Sequence, residues 1–273
     1  FIISLQDSCG NKEIQPIFSF SKNTENNIQK YNILIPDWLT LRGNHKDNWN
    51  NLKMRLDIKK TKFKLKKNKI VWRGALSTNY RIKFKEIGLK NNKIIDFSNN
   101  FLSQQDHLQY KYQIVFDGSC CTWPGYLWRL YSGCLTIKHE SSQIQWFYGA
   151  LKPYKHYVPL KKNFTENDVL ELHTWLSENE EKCQIISNNA EKFIIENMSV
   201  EDMLTYYIDV LNKYSKIQQC SQKLDDFSDN MLNFNTSLWY YIYLYISYYY
   251  DHFKNYLKIC IFVITSFCID LLT

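Results

Sequence analysis

Two arginines eight residues apart, Arg73 and Arg81, flank a loop that holds Gly74, Ser77 and Thr78. A planar guanidinium fork suits phosphate oxygens. A helix starting beside such a loop adds unpaired N–H groups and the positive end of its dipole. Together these groups could grip a diphosphate, although Arg73 fits a structural role equally well. A second loop gathers Gly118, Ser119, Thr122, Trp123, Pro124 and Gly125 behind the apolar run YQIVF. Small residues let a backbone come close to a phosphate. Gly125 opens a short helical pattern, YLWRLYSG, in which Arg129 offers a further cation one turn on. Glu140 and Ser141 follow the apolar run CLTIK. A carboxylate there could accept hydrogen bonds from ribose hydroxyls, or form a solvated turn. Asp7, in SLQDSCG, ends the first apolar run. A carboxylate at a strand end can take a proton from an attacking hydroxyl, and an ordinary turn would use the same residue.

Short apolar runs must position these groups. Residues 1–5, 16–20 and 33–35 read as strands, and 48–58 has helical spacing at Trp49, Leu52 and Leu56. The run 59–69 carries seven lysines in eleven residues. It is either a solvated linker or a patch for a polyanion or membrane surface. Beyond it the pattern alternates: strand 70–72, helix 80–87 with Gly88 as its stop, then strands 93–97, 112–116, 134–138 and 156–159. Strand, small-residue loop, helix, strand is the layout of an open α/β sheet, where ligands bind beyond the carboxyl ends of the strands. Thr165 can cap a helix to about Asn179 with Asp168 at its third position, and 180–196 and 200–217 follow as amphipathic helices.

The chain has 273 residues, 45% of them hydrophobic, with 20 Tyr, 16 Phe and a net charge of +7. That length suits two domains. Eight cysteines include no CxxC pair, and no HExxH or DxD occurs, so no metal centre is expected. His139 and His156 read as polar or core histidines, and Trp146, Tyr148, Tyr154 and Tyr157 as packing residues. Three N-x-S/T sequons, at Asn163, Asn197 and Asn235, are compatible with a secretory lumen. The first residue is Phe, which points to a piece lacking its start. The apolar run 259–269, bounded by Lys258 and Asp270, is short for a span of about 20 residues. It could still act as an anchor.

Several ordered motifs together resemble a known family. They are SLQD and PIFSFSK near the start, WRGALSTNYR at 72–81, YKYQIVFDG at 110–118, TWPGYLWRLYSG at 122–133 and QWFYGALKPYKHYVPL at 145–160. This series is similar to glycosyltransferase family 90, which holds protein O-glucosyltransferases and lipopolysaccharide glycosyltransferases. The resemblance spans roughly residues 3–217. It implies an α/β fold of the GT-B type, with two Rossmann-like domains. Residues 1–65 are then the remnant of a truncated acceptor-side domain, 66–217 the nucleotide-sugar domain, and 218–273 a tail outside the likeness. It implies an inverting transfer of a hexose or pentose from a UDP-sugar to a hydroxyl of a protein or glycan. Asp7 is then the base, Arg81 contacts the diphosphate, and Arg73 keeps the family's eight-residue interval. No cofactor or metal is expected, and no nucleic-acid partner. The compartment implied is the endoplasmic reticulum lumen or Golgi. One departure stands out: animal O-glucosyltransferases carry an Arg where this chain has Gly125, and Arg129 could supply that cation. The alternative is a non-catalytic family member that binds polyanions or glycans.

Overall fold

The computed structural model describes residues 2–3, 17–41, 48–122 and 124–217. Asp7, Trp123, Asn235 and the tail from 218 onward lie outside them. Phe1–Lys216 forms one compact unit.

In chain order the strands and helices begin with β1 (Ile2–Ile3), β2 (Ile17–Ser19), β3 (Lys22–Asn23) and β4 (Ile33–Leu34). Next come α1 (Trp38–Leu41), α2 (Trp49–Lys59), β5 (Lys67–Trp72), α3 (Asn79–Lys90), β6 (Ile95–Phe97) and α4 (Gln104–His107). Then follow β7 (Tyr110–Val115), α5 (Gly125–Tyr131), β8 (Leu135–His139), β9 (Gln143–Ile144) and β10 (Val158–Leu160). Three helices close the series: α6 (Glu166–Glu178), α7 (Glu180–Asn197) and α8 (Val200–Ser215).

The main sheet has five strands in the order β10-β8-β7-β5-β6, and every pairing in it is parallel. Counted from β5, that is the doubly wound order 2-1-3-4-5. Chain direction across the sheet reverses between β5 and β7, which makes their carboxyl ends the topological switch point. Parallel strands covered on both faces read as continuous apolar runs, and β7 and β8 are buried along their whole length. One face packs Trp72, Phe84, Ile95, Phe116, Phe164 and Leu176. The other packs Val115, Leu130, Cys134, Ala190 and Ile194 under α5 and α7. A smaller parallel sheet, β1-β2-β4, packs Phe18, Phe20 and Ile35 against Tyr207, Val210, Leu211 and Tyr214 of α8.

Three expectations change. Gly88 does not stop its helix, because α3 runs on to Lys90. Gly88 instead lies where α3 touches the sheet. A Cβ there would sit 3.0 Å from both Ile95 Cγ2 and Phe97 Cβ. We expect Gly88→Ala to lower stability by about 1 kcal/mol, because overpacking outweighs alanine's helix advantage. A denaturant midpoint at or above wild type would remove that packing argument.

The lysine run is no open linker. Phe63 is buried in a short 3-10 turn. Lys66 is buried and donates to Leu108 O at 2.7 Å, and Lys60 meets Glu191 at 2.7 Å.

The expected membrane association through the apolar tail is not supported. Among the described residues no helix is long and apolar enough to cross a membrane. The run 259–269 lies outside them, and its eleven residues fall short of the about 20 that a span needs.

Candidate functional site

A cleft of about 480 Å³ opens at the carboxyl ends of the main sheet. Its lining comes from the start of α3 (Thr78, Asn79, Tyr80, Lys83), Gly118 after β7, the last residue of β8 and the turn into β9 (His139–Gln143), Lys162–Phe164 after β10, and Glu25. Each of these segments ends or follows a strand, or opens the helix behind one. The parallel topology therefore gathers them from distant parts of the sequence.

Arg81 bridges the switch point. Its Nη1 donates to Ala75 O at 2.9 Å and to Ser77 Oγ at 3.2 Å, and its Nη2 donates to Phe116 O at 2.7 Å. The guanidinium thus ties the loop after β5 to the end of β7. Gly118 lies against it, since a Cβ there would be 3.3 Å from Arg81 Nη2. Burial lowers the Arg81 pKa, while Tyr80 and Asp117 act the other way. Thr78 caps α3 without a side-chain hydrogen bond, and Thr78, Asn79 and Tyr80 at the start of this 12-residue helix line the cleft.

Arg129 is buried and lies over the Trp128 ring at 4.2 Å. Its Nη1 donates to Gly125 O at 2.8 Å, while its Nε finds no partner. Burial, with the charge of Arg81 adding, pulls its pKa down to about 9. It stays cationic at neutral pH. Among the described residues neither Arg81 nor Arg129 forms an ion pair with a carboxylate. Arg81, near the start of α3, and Arg129 are close enough for their charges to repel, and these two guanidinium groups without counter-ions make a positive corner outside the residues that line the cleft.

Arg73 is placed apart from that corner. It forms an ion pair with Asp96 on β6 and donates to Asp96 O at 2.7 Å and Trp72 O at 2.9 Å. Gly74 is exposed, beside the Trp72 indole. In the second loop, Ser119 is exposed and its carbonyl accepts from Gln143 Nε2 at 3.2 Å. Thr122 is buried, with its hydroxyl 3.0 Å from Ser21 Oγ. That contact joins the loop after β7 to the chain leaving β2. Pro124 and Gly125 begin α5. Glu140 is exposed on the cleft rim.

Ser141 exposes a group that sequence reading missed. Its hydroxyl donates to Asp117, whose carboxylate also pairs with Lys138 Nζ. The Asp117 and Lys138 side chains are 3% and 8% exposed. Tyr80 OH donates to Asp117 O at 2.6 Å, and the Tyr80 ring lies 4.5 Å from that of His139. A charged pair is thus buried under the cleft; the Asp117 carboxylate holds Ser141, two residues past β8, and the Asp117 carbonyl holds Tyr80 on α3. A lysine inside the apolar run CLTIK was the available signal, because a lysine is rarely buried without a partner. The antiparallel pair β3–β9 also went unseen. It joins Lys22 to Ile144 and Asn23 to Gln143, and two-residue strands leave too little pattern to read.

Near Arg129, His107 is 3% exposed, and its Nδ1–H donates to Ser103 O at 2.8 Å. Burial, then the Arg129 charge, pushes its pKa down to about 4 from an ordinary 6.5. The folded chain therefore holds it neutral while the unfolded chain protonates it first. Its stabilising effect is complete above pH about 6.5. It is lost as pH falls toward about 4, by roughly 3 kcal/mol. We expect urea midpoints to drop between pH 7 and pH 5, and the drop to shrink in His107→Gln. An equal drop in both proteins would assign it elsewhere.

A doubly wound parallel sheet with a cleft at its switch point is the layout in which open α/β proteins bind ligands beyond the strand ends. Residues 2–233 match the glycosyl transferase family 90 model, and the chain belongs to that family. It is similar to protein O-glucosyltransferase 3 of Homo sapiens, with 26% identity over 206 residues. That alignment covers 70% of this chain and 37% of the human protein. The Mus musculus protein of that name is 26% identical over 219 residues, covering 74% of this chain and 40% of its own length. O-glucosyltransferase rumi of Drosophila melanogaster is 24% identical over 251 residues, covering 81% and 60%. The chain spans about two fifths of the length of the first two relatives.

Proposed function

We propose that this chain carries the donor side of a UDP-sugar-dependent glycosyltransferase of GT-B architecture, inverting at the transferred sugar and acting in the lumen of the secretory pathway. The observation that carries this reading is the corner formed by Arg81 and Arg129 beside the start of α3. A nucleoside diphosphate brings the negative charge that those guanidinium groups lack. Gly118 leaves room for it next to Arg81, and Ser141 and Glu140 lie on the rim where ribose hydroxyls need acceptors.

In the reaction, an acceptor hydroxyl oxygen on a protein or glycan bonds to the anomeric carbon. The bond from that carbon to the diphosphate oxygen breaks, and the hydroxyl proton passes to Asp7. Charge builds on the departing diphosphate, where Arg81 and Arg129 stabilise it. A preorganised donor of this kind is worth about 3–4 kcal/mol. Asp7 is assigned by resemblance to the family's base, and it lies outside the described residues. The donor sugar is a hexose or pentose, with glucose suggested by the names of the relatives.

The test is calorimetric titration of UDP. A charge-assisted hydrogen bond is worth about 1.5–3 kcal/mol, so Arg81→Ala should weaken UDP roughly tenfold to hundredfold. Arg81→Lys keeps the charge but loses the fork, and should recover only part of the affinity. Unchanged affinity in a folded Arg81→Ala protein would contradict the assignment.

A further inference from the structure

Away from the donor cleft, the end of α7 and the facing side of α8 enclose a hollow of about 340 Å³. Trp146, Phe193 and Tyr206 give it aromatic walls, and Asp202 and Asn197 stand among its polar lining residues. The Trp146 and Tyr206 rings are 4.7 Å apart, tilted by 40°. Asn197 is exposed and is the last residue of α7. It also begins the sequence Asn197-Met198-Ser199, the acceptor signal for N-linked carbohydrate. A pyranose presents an apolar C–H face and a ring of hydroxyls. Aromatic walls with a carboxylate and an amide nearby match both.

We propose that Asn197 carries an N-linked glycan whose first N-acetylhexosamine seats in this aromatic hollow. Asn197 Nδ2 bonds to the anomeric carbon of a lipid-linked oligosaccharyl diphosphate. The bond from that carbon to the diphosphate breaks, and Nδ2 gives up one proton. The modified amide keeps one N–H, so the present bond from Nδ2 to Phe193 O at 2.9 Å survives. In the folded chain the Ser199 hydroxyl donates to Asp202 at 2.7 Å as the cap of α8. Transfer therefore precedes closure of that cap. Asn163 begins the other described sequon, but it lines the donor cleft. This hollow lies on a different face from the donor cleft and shares with the proposed function only the lumenal compartment.

The test expresses the full chain behind a secretion leader in a eukaryotic host, so the native compartment does not enter the result. Peptide mass spectrometry should find Asn197 occupied, and Asn197→Gln should remove that glycan. Trimming to a single sugar should leave a protein that melts about 2 °C or more above Asn197→Gln, as expected for about 1 kcal/mol in a chain of this size. Residues 193–206 should also exchange amide hydrogens more slowly in the trimmed form. An unmodified Asn197 in folded, secreted protein would overturn the proposal. So would an occupied site whose single-sugar form melts and exchanges like Asn197→Gln.

Discussion

Asp7→Asn is expected to cut transfer to the acceptor by roughly 10²- to 10⁴-fold, the usual contribution of a positioned general base, with UDP affinity unchanged. Asparagine keeps the size and polarity of the side chain but cannot take the proton that the attacking hydroxyl must lose. In the proposed reading the donor is held elsewhere, at the ends of β5, β7 and β8, so binding and turnover should separate. Steady-state kinetics with a UDP-release readout, alongside UDP calorimetry, distinguishes the cases. Turnover within a few-fold of wild type would remove Asp7 from its role. A parallel loss of UDP binding would assign it to the donor instead.

Lys138→Met should cost about 3–5 kcal/mol of stability, because it leaves the Asp117 carboxylate buried without its cation. Against a typical total of about 5–15 kcal/mol, many molecules would then be unfolded at body temperature. The pair lies under the cleft at 3% and 8% side-chain exposure, where water cannot replace the lost partner. Asp117→Asn combined with Lys138→Met removes both charges and should restore much of the loss, since the cost lies in the unpaired charge. Urea unfolding of the single and double variants measures this. A loss below about 1 kcal/mol for Lys138→Met would mean that Asp117 is solvated or paired in another way.

Much of the α/β alternation was legible in the sequence because parallel strands buried on both faces leave unbroken apolar runs, as at β7 and β8. The capping box at Thr165 and Asp168 was legible for a local reason: both partners lie within one turn. Gly88 was misread because the contact that selects glycine there comes from β6, not from the end of its own helix. In sequence Arg73 is open between a structural and a binding role, while the resemblance gives Arg81 the diphosphate. Only the tertiary fold shows that Asp96 draws one away, while carbonyls and Ser77 leave the other without a counter-ion. The Asp117–Lys138–Ser141 group was hidden because its members are 21 and 24 residues apart along the chain. Adjacency of β7 and β8 in the sheet brings them together.

The central claim is that the switch-point corner receives a nucleoside diphosphate. Hydrogen exchange read by mass spectrometry, with and without saturating UDP, tests it most directly. Slower exchange is expected at residues 78–83, which open α3, and at 117–122, with α8 unchanged. Unchanged exchange in both segments, or protection confined to another face, would contradict it.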